Sequence, residues 1–324
     1  MNTTTLENNP VVRPAKNRDL ANWVGFFNGE YVDESEMVLP IRAKVIQYGL
    51  GVFEGVRAYW NAEEQQLYIF RAEEHFQRIM NSCKIMRLTS NYSVDQLVEV
   101  SREILKANNI KTNTYLRPIF YHGSTKLSPV FEDGDTEFAM YCMPLNDYLD
   151  TTKAIHVAIS SWNRVPDNCI PARAKPTGIY INSALARDEA NKNGFAEAIL
   201  LSDDGSVSEG SGEHIFLVRN GVLYSPPSTQ DNLEGITRLT VIELAAKVLG
   251  LKFVEKRINR SELYTADELF FSGTGAEITP IGSVDRRTVG NGEVGDLTRK
   301  IQKAFFDITY GRNKDFKHWL TPVY

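Results

Sequence analysis

The sequence predicts an α+β fold of two domains. Strand-like runs are joined by Asn-Gly or Asp-Gly pairs, which are typical of tight β-hairpins, and segments with helical periodicity lie between them. A polar interval, residues 146–153, separates two stretches of this kind. The chain has 324 residues, 42% of them hydrophobic, so it is long enough to bury two cores. We predict an N-terminal arm (1–19), a small α/β domain (20–145), a linker (146–153) and a large domain (154–324).

The elements of the small domain follow from local patterns. Residues 25–34 contain an Asn-Gly turn between apolar runs, which predicts a hairpin. Apolar residues at helical spacing predict a helix over 72–88, and Ser93 is the expected N-cap of the next helix. Residues 114–123 and 136–145 are rich in aromatic and β-branched side chains and are predicted strands.

The large domain begins with a strand at 155–162. A helix should follow Lys175 and end near Gly194. The other predicted elements are two hairpins within 197–227, a helix over 235–250 with Gly250 just past its end, a strand leading into a glycine-containing loop over 267–281, and a final helix over 293–311.

Charge and composition exclude several classes of protein. The net charge is −5, with both signs scattered along the chain, so no basic face for a nucleic acid or an anionic membrane is expected. The three cysteines are far apart and the five histidines form no HxxxH pair, which argues against a disulfide framework or a metal site. The N-terminus has no apolar signal-peptide core, so we predict a cytoplasmic protein.

Lys175 is the first candidate for chemistry. It lies in a turn bounded by Pro171, Pro176 and Gly178. The ordinary interpretation is a solvated turn lysine. The functional alternative is an amine that forms a Schiff base with pyridoxal 5′-phosphate, a cofactor that also needs an acid at its ring nitrogen, a donor at its ring oxygen and a site for its phosphate.

Residues for these three needs are present. Tyr180 is a possible donor to the ring oxygen, although it is equally typical of a buried aromatic. Glu209 is a candidate acid, with Glu213 as a competitor, and either is also typical of a hairpin surface. Two loops are candidates for the phosphate, and either is otherwise an ordinary turn: Gly235 followed by Ile236 and Thr237 at a helix start, or residues 272–277 with Thr274, with Arg78 as the cation.

Several motifs in register carry a resemblance to a known family. They are YGLGVFEGVRAY (48–59), FRAEEHFQRI (70–79), TYLRPIF (114–120), SEGSGE (208–213), GITR (235–238) and SGTGAEITP (272–280). Together they resemble the class IV, fold-type IV pyridoxal-phosphate aminotransferases, and specifically the branched-chain amino acid aminotransferases, over nearly the whole chain.

The resemblance implies a D-amino acid aminotransferase-like fold with the active site between the two domains, the larger of which binds the cofactor. Lys175 would form the internal aldimine and move a proton between the substrate Cα and the cofactor C4′. Glu209 would face the pyridine nitrogen and Tyr180 the ring oxygen. The other implied cofactor contacts are Arg78, Gly212, Ile236, Thr237 and Thr274.

The resemblance also implies a substrate and an assembly. The expected reaction is transamination of leucine, isoleucine and valine with 2-oxoglutarate, as in a branched-chain-amino-acid transaminase. The expected substrate contacts are Tyr48, Phe53, Arg57, Tyr115, Arg117 and Gly275. The expected state is a homodimer or higher oligomer, in which one subunit lends a loop to the active site of its neighbour.

Three positions depart from the family pattern. His214 stands where the family has asparagine. In KPTGIY (175–180), the residues directly after the lysine are larger than the small residues more usual there. Residues 121–134 differ from the usual glycine-rich loop. The alternatives are therefore an (R)-amine or D-amino-acid aminotransferase or a mixed specificity, then an aminodeoxychorismate lyase, and finally a catalytically silent binding or scaffold protein on the same fold.

Overall fold

The computed structural model describes residues 23–145 and 148–324, so the predicted N-terminal arm lies outside the described residues. The first sheet takes seven strands from the N-terminal part of the chain: β1 (Val24–Phe27), β2 (Glu30–Asp33), β3 (Gly51–Phe53), β4 (Val56–Asn61), β5 (Gln66–Phe70), β6 (Thr114–His122) and β7 (Thr136–Pro144). Their order is β5-β4-β6-β7-β1-β2, all antiparallel, and the short β3 also pairs with β6. The predicted hairpin at 25–34 and both later strands are confirmed.

Two of the three helices in this region cover one face of the first sheet. The helices are α1 (Lys44–Tyr48), α2 (Ala72–Ile85) and α3 (Val94–Ala107). Ser93 caps α3 as predicted, and with Gln96 it forms a reciprocal capping box. The core beneath α2 and α3 is made of apolar side chains, among them Phe76, Ile79, Leu97, Phe120 and Phe138.

The alternation of side chains along β6 decides which residues face away from this core. Leu116 and Phe120 are buried in the core, whereas Tyr115 and Arg117, on either side of Leu116, point to the opposite face. This period of two places the Tyr-x-Arg pair on the open side of the sheet, which faces the cavity described below.

The second sheet has nine strands of mixed direction. They are β8 (Ile155–Asn163), β9 (Glu197–Leu201), β10 (Val207–Gly210), β11 (His214–Arg219), β12 (Val222–Ser225), β13 (Phe253–Glu255), β14 (Glu268–Gly273), β15 (Glu277–Val284) and β16 (Arg287–Thr288). The order is β10-β9-β8-β15-β14-β11-β12-β13, with β16 paired to β15. The pairs β8–β9, β8–β15 and β12–β13 are parallel.

Helices pack on both faces of the second sheet: α4 (Tyr180–Lys192), α5 (Ile236–Lys247), α6 (Arg260–Leu263) and α7 (Asp296–Thr309). Both faces are buried, so strands such as β11 are apolar at successive positions. Residues 267–281 form a hairpin of two strands rather than the predicted strand and loop, because the chain reverses at Gly273 and returns as β15. The helix predicted to reach Gly250 ends at Lys247, and Gly250 adopts φ +61° in the loop beyond.

The C-terminus returns to the first sheet. β17 (Leu320–Pro322) pairs antiparallel with β5, so the first sheet contains eight strands, one of them from outside residues 20–145. An apolar cluster joins the two sheets at this point and includes Tyr59, Phe70, Phe216, Phe305 and Leu320. Within residues 23–145 and 148–324, no helix is both long and apolar enough to cross a membrane.

Candidate active site

A cavity of about 290 Å³ lies where the two sheets meet. Its walls come from both parts of the chain: Phe53, Gly55, Arg78, Tyr115, Arg117, Met143, Leu145, Tyr148, Lys175, Tyr180, Gly212, Glu213, Thr274, Gly275 and Ala276. Nine of the residues predicted from the sequence are therefore brought together in one place. A smaller recess beside it is lined by Glu209 and His214 and shares Lys175, Tyr180 and Gly212 with the main cavity.

The Lys175 turn is held by backbone contacts with the first sheet. The N–H of Phe53 donates to the carbonyl of Lys175 (3.1 Å), and Val52 forms an isolated antiparallel bridge with Pro176. Two residues further on, the hydroxyl of Thr177 donates to the carbonyl of Gly49 (2.7 Å). The turn is in effect a short extra strand alongside β3, and its position is set by β3 as well as by its own prolines.

The amine of Lys175 reaches the phenol of Tyr180. The distance from Nζ to the Tyr180 hydroxyl is 2.6 Å, and Nζ lies 5.2 Å from the ring centre of Phe53. Tyr180 is the first residue of α4, and its own ring packs against Phe53 with centroids 4.8 Å apart. The packed rings of Phe53 and Tyr180 therefore fix the position of the amine, which lies where the two recesses meet.

Glu209 lies on the other side of Lys175, in the smaller recess. It is 5% exposed and follows a register irregularity in β10. Arg164 approaches its carboxylate to 2.9 Å, and His214 Nδ1 lies 3.7 Å away. Burial raises the pKa of Glu209, while the positive charge of Arg164 acts in the opposite direction.

The competing acid, Glu213, is in a different electrostatic state. Burial and the neighbouring Glu197 raise the pKa of Glu213 to about 8, so this carboxyl is protonated at neutral pH. A partner for a protonated ring nitrogen must be ionised. Glu209 has a direct ion pair with Arg164 (2.9 Å), whereas the arginine near Glu213, Arg187, pairs with Glu197 instead, so the structure favours Glu209.

The anion site lies where Arg78 meets the start of α5. Arg78 donates to the carbonyl of Glu234 (2.9 Å), the residue before the N-cap Gly235. Among the described residues no side chain caps this helix, so the N–H groups of Ile236 and Thr237 have no side-chain acceptor. These free donors and a neighbouring cation are the arrangement that a phosphate group requires.

A buried network that the sequence analysis missed holds Arg78 in place. Glu54 is fully buried and accepts two hydrogen bonds from Arg78 (2.6 and 2.8 Å) and one from His75 Nδ1 (2.8 Å). The charge of Arg78 and the hydrogen bonds from Arg78 and His75 hold the pKa of Glu54 well below its usual value despite its burial, while burial lowers the pKa of His75. Three of the five N–H donors of the Arg78 guanidinium are used by Glu54 and Glu234. Two donors remain for a ligand.

The remaining wall combines apolar surface with one more guanidinium. Arg117 donates to the Tyr115 hydroxyl (2.9 Å) and lies over the ring of Phe53, 4.3 Å from its centroid. Burial raises the pKa of Tyr115 to about 12, so its phenol stays neutral. Met143, Leu145 and Tyr148 complete this side and were not predicted.

Two predicted substrate residues do not line the cavity of their own chain. Arg57 lies behind the wall, where its guanidinium donates to the carbonyls of Gly275 (3.0 Å) and Leu145 (3.1 Å). It therefore supports the turn at 274–275 rather than facing the cavity. Tyr48 is the last residue of α1 and is not part of the lining.

These features fit pyridoxal 5′-phosphate. The structure presents a lysine amine, a phenol beside it, a buried carboxylate paired with an arginine, and a helix N-terminus with free donors next to a second arginine. Among the described residues no group of three or more His, Cys, Asp or Glu side chains could hold a metal ion.

Comparison with known proteins gives consistent results. The profile of the family described as amino-transferase class IV matches residues 51–284. A probable branched-chain-amino-acid aminotransferase of Aquifex aeolicus is 46% identical over 299 residues, covering 92% of this chain and 96% of that protein. The branched-chain aminotransferase of Thermoproteus uzoniensis, solved with norvaline, superposes with a TM-score of 0.90 at 42% identity and covers 93% of this chain and 99% of its own. The branched-chain amino acid aminotransferase of Thermobaculum terrenum in its PLP form superposes with a TM-score of 0.89 at 37% identity. The match covers 93% of this chain and 98% of that one.

We predict that the Glu54 network contributes strongly to stability. In Glu54→Gln the buried Arg78 loses its counter-charge, which should lower the free energy of unfolding by about 3–5 kcal/mol. Glu74→Gln is the matched control, since Glu74 also pairs with an arginine of the α2 region (2.8 Å) but is 39% exposed. That variant should change stability by less than about 1 kcal/mol. Denaturant unfolding of both variants measures the difference.

The pH dependence of this contribution has a definite sign. Because the pKa of Glu54 is lowered on folding, its stabilising effect is complete above the ordinary carboxyl value of 4.5 and declines as the pH falls below it. The gap between wild type and Glu54→Gln should therefore be constant from pH 6 to 8 and narrow below about pH 4.5. A gap that widened in acid would contradict the assignment.

Proposed function

The chain belongs to the class IV aminotransferases, and we propose that it exchanges the amino group of leucine, isoleucine and valine with that of glutamate through pyridoxal 5′-phosphate. The observation that carries the proposal is the makeup of the cavity. Its amine-bearing side has the Lys175–Tyr180 pair. Another part of its lining combines apolar side chains with two phenols and the guanidinium of Arg117. The oxo acid that receives the amino group in the forward direction is 2-oxoglutarate.

The comparisons support both the cofactor and the substrate class. The Thermobaculum terrenum structure is of a PLP form, and the Thermoproteus uzoniensis structure contains norvaline, an amino acid with an apolar side chain. The likeness extends over nearly the full length of each of these proteins, so it includes both walls of the cavity. A catalytically silent scaffold would have no use for the lysine, the phenol and the paired carboxylate together.

The residues that hold the cofactor follow from the site. Arg78 and the first N–H groups of α5 would bind the phosphate, Tyr180 would donate to the ring oxygen, and Glu209 would hold the ring nitrogen in its protonated form. Arg164 pairs with Glu209 at 2.9 Å, which orients the carboxylate and favours its ionised form against the effect of burial. When bound, the cofactor supplies a carbonyl that accepts the amino group and a ring that withdraws electrons from the substrate Cα.

Lys175 is the acid–base group of the reaction. Its Nζ would take the proton from the substrate Cα and deliver it again on the same face of the cavity. Tyr180 holds the amine at 2.6 Å, and the backbone bonds to β3 fix the chain on either side of it. The proton therefore travels a short and constant path.

The substrate is held at its carboxylate and its side chain. The turn at Thr274 and Gly275 is fixed from behind by Arg57, so its backbone is a rigid edge for the α-carboxylate. The side chain of a branched amino acid would lie against Phe53, Met143 and Leu145. When glutamate or 2-oxoglutarate binds, its second carboxylate needs a cation, and Arg117 is placed to supply it.

A single-turnover titration tests the proposal directly. The cofactor absorbance of the purified holoenzyme is followed while L-leucine, L-glutamate, D-alanine and (R)-1-phenylethylamine are added to separate samples. Rapid loss of the absorbance near 410–430 nm, the region expected for a lysine-bound cofactor, with the first two compounds only, is the expected result. A rapid response to D-alanine or the amine would instead assign the enzyme to the D-amino-acid or (R)-amine class.

We predict that Lys175→Ala folds but loses the reaction. Without the amine, the cofactor cannot attach covalently, and the proton transfer step should slow by at least about 10²–10⁴-fold. Borohydride reduction followed by mass spectrometry should show no labelled peptide, and kcat for L-leucine should fall accordingly. Lys192→Ala, which removes an exposed lysine of α4, is the control. Transamination of leucine by Lys175→Ala at the wild-type rate would refute the assignment.

A second prediction compares the effect of removing Arg117 on two substrates, 2-oxoglutarate and leucine. In Arg117→Ala, kcat/KM for 2-oxoglutarate should fall about 10–100-fold, the effect of removing one charge-assisted hydrogen bond. The kcat/KM for leucine should change much less, since the leucine side chain carries no charge. Arg117→Met keeps most of the side-chain volume over Phe53 and separates the loss of charge from the loss of packing. Equal losses for both substrates would contradict a dual-purpose pocket.

We also propose that the protein is a homodimer in the cytoplasm. Apolar side chains are strongly exposed on two adjacent segments, with Ile41 78% and Val38 69% exposed before α1 and Leu127 84% exposed on the loop after β6. An exposed apolar surface of this kind is typical of an interface between protein molecules. The cytoplasmic location is supported by the cysteines, which are unpaired at all three positions.

The dimer is tested by light scattering coupled to size exclusion. Wild type should have about twice the 36.6 kDa mass of one chain, and a Leu127→Glu/Ile41→Glu double variant should shift toward the monomer because two charges would be buried at the contact. A substitution of the same type at the exposed Ile85, 40% accessible and on α2, is the control. A wild-type monomer would refute this part of the proposal.

A further inference from the structure

The backbone of Lys175 obtains its hydrogen bonds from the first sheet and its helices, not from the sheet that precedes it in the chain. Lys175 lies between β8 and α4, outside both elements. Its carbonyl accepts from Phe53, and its N–H donates to the hydroxyl of Ser82 (3.2 Å). The next residue, Pro176, has no N–H, so the Ser82 bond is the donor contact that fixes the peptide plane on the N-terminal side of the lysine.

Ser82 is suited to this role by its surroundings. It is fully buried on α2, and its hydroxyl donates to the carbonyl of Arg78 one turn earlier (3.0 Å). A serine hydroxyl has one proton and two lone pairs. Because the proton is used by the helix, a lone pair is available to the N–H of Lys175, and the hydroxyl cannot turn to donate elsewhere without losing the Arg78 bond.

The same helical turn carries the anion site. Arg78 holds Glu54 and touches the start of α5 through Glu234, while Ser82, four residues later, contacts the backbone of Lys175. A single rigid turn of α2 therefore connects the guanidinium of the phosphate site to the chain segment that carries the amine. The separation between these two groups must match the length of the cofactor that they would bind at its two ends.

We propose that Ser82 is a positioning residue that sets the distance between the Lys175 amine and the Arg78 anion site. The inference rests on the proposed function, because it concerns the same cofactor. Without the hydroxyl, the Lys175 N–H loses its acceptor, and the Ala174–Lys175 peptide plane is free to tilt by rotation about ψ of Ala174 and φ of Lys175. A displacement of the amine by about 1 Å would slow a reaction that depends on alignment by about 100-fold.

The variant Ser82→Ala removes the contact, and Ser101→Ala is a closely matched control. Ser101 is also fully buried, lies on the adjacent helix α3, and donates to the carbonyl four residues earlier, that of Leu97 (2.8 Å). It has no contact with Lys175. Both variants lose the same intrahelical bond. Ser101→Ala also loses a contact with Met140 Sδ (3.4 Å) but none with Lys175, so a slowing confined to Ser82→Ala reports on the lysine.

Three measurements separate positioning from a general structural effect, and the first two use the apoenzyme. The first is the rate at which pyridoxal 5′-phosphate becomes attached to Lys175, trapped by borohydride and counted by mass spectrometry. The second is the Kd of pyridoxine 5′-phosphate, which has the phosphate and ring but no carbonyl and so binds without attaching. The third readout, on the holoenzyme, is the separation of kcat from KM for L-leucine.

We expect Ser82→Ala to attach the cofactor about 10–100-fold more slowly, with a similar fall in kcat, while the Kd of pyridoxine 5′-phosphate and the KM for leucine change by less than about threefold. Ser101→Ala should match wild type in every measurement. Ser82→Cys, which keeps a weaker acceptor at the same place, should recover part of the attachment rate.

Three results would overturn the inference. They are attachment at the wild-type rate in Ser82→Ala, an equal loss of pyridoxine 5′-phosphate affinity in that variant, and the same slowing in Ser101→Ala. Failure of the proposed function has a different signature. In that case the wild-type apoenzyme would itself not attach pyridoxal 5′-phosphate, or would attach it and fail to react with leucine and glutamate.

Discussion

The structure depends on one short backbone pairing, that of the Lys175 turn with β3. The lysine follows a strand of the second sheet, but the hydrogen bonds that fix its peptide groups come from Phe53 and Ser82. Because buried N–H and C=O groups must be paired, the turn has its observed conformation only when the two halves of the molecule are in contact. Assembly of the fold and assembly of the site are thus the same event, and the apolar cluster around Phe70 and Phe305 supplies much of its driving force.

The charges around the cavity follow a consistent rule: each buried ion has a partner on the side away from the ligand. Glu54 faces Arg78 from behind, and Arg164 faces Glu209 from behind. The two arrangements are opposite in sign, with a cation presented at the phosphate end and an anion at the ring-nitrogen end. Burial and four nearby cations lower the pKa of His214, so its imidazole stays neutral beside Glu209 and does not compete for that carboxylate's charge. The polarity of the site is therefore built in before any ligand binds.

Local sequence patterns predicted the elements that have a strong local signal. The Ser93 cap, the two Asn-Gly hairpins and the strand β6 could be predicted because each depends on neighbours in the chain. The short β3 and the terminal β17 were not, since strands of three residues carry almost no periodicity and exist through distant partners. The pairing of β17 with β5 was not predicted for the same reason, because nothing near Leu320 indicates it.

The residues of the candidate site fall into the same two groups, those with a local sequence signal and those without one. Lys175, Tyr180, Glu209 and Arg78 were identified because they stand in recognisable motifs, and the structure brings them together, although the role of each remains part of the proposal. The residues behind them were missed, namely Glu54, His75, Ser82 and Arg164. Glu54 and His75 lie within the motifs given above, yet a buried acid or histidine has no local mark that distinguishes it from an exposed one. A useful signal would have been the unusual cost of a charged residue between apolar strand residues, as in VFEGV, which implies a buried partner.

The loop after β6 is anchored by a buried charge from α1. Its sequence differs from the glycine-rich form of the related family, and the structure shows what holds it. Lys44, fully buried at the start of α1, donates to the carbonyl of Val130 (2.7 Å) and pairs with Glu132 (3.2 Å). A buried lysine is costly unless its charge is matched, so α1 and the loop must move as one unit. Glycine would leave such a loop free to adapt, whereas this anchoring gives it one position. The surface that the loop presents is therefore determined by a charge pair within the chain.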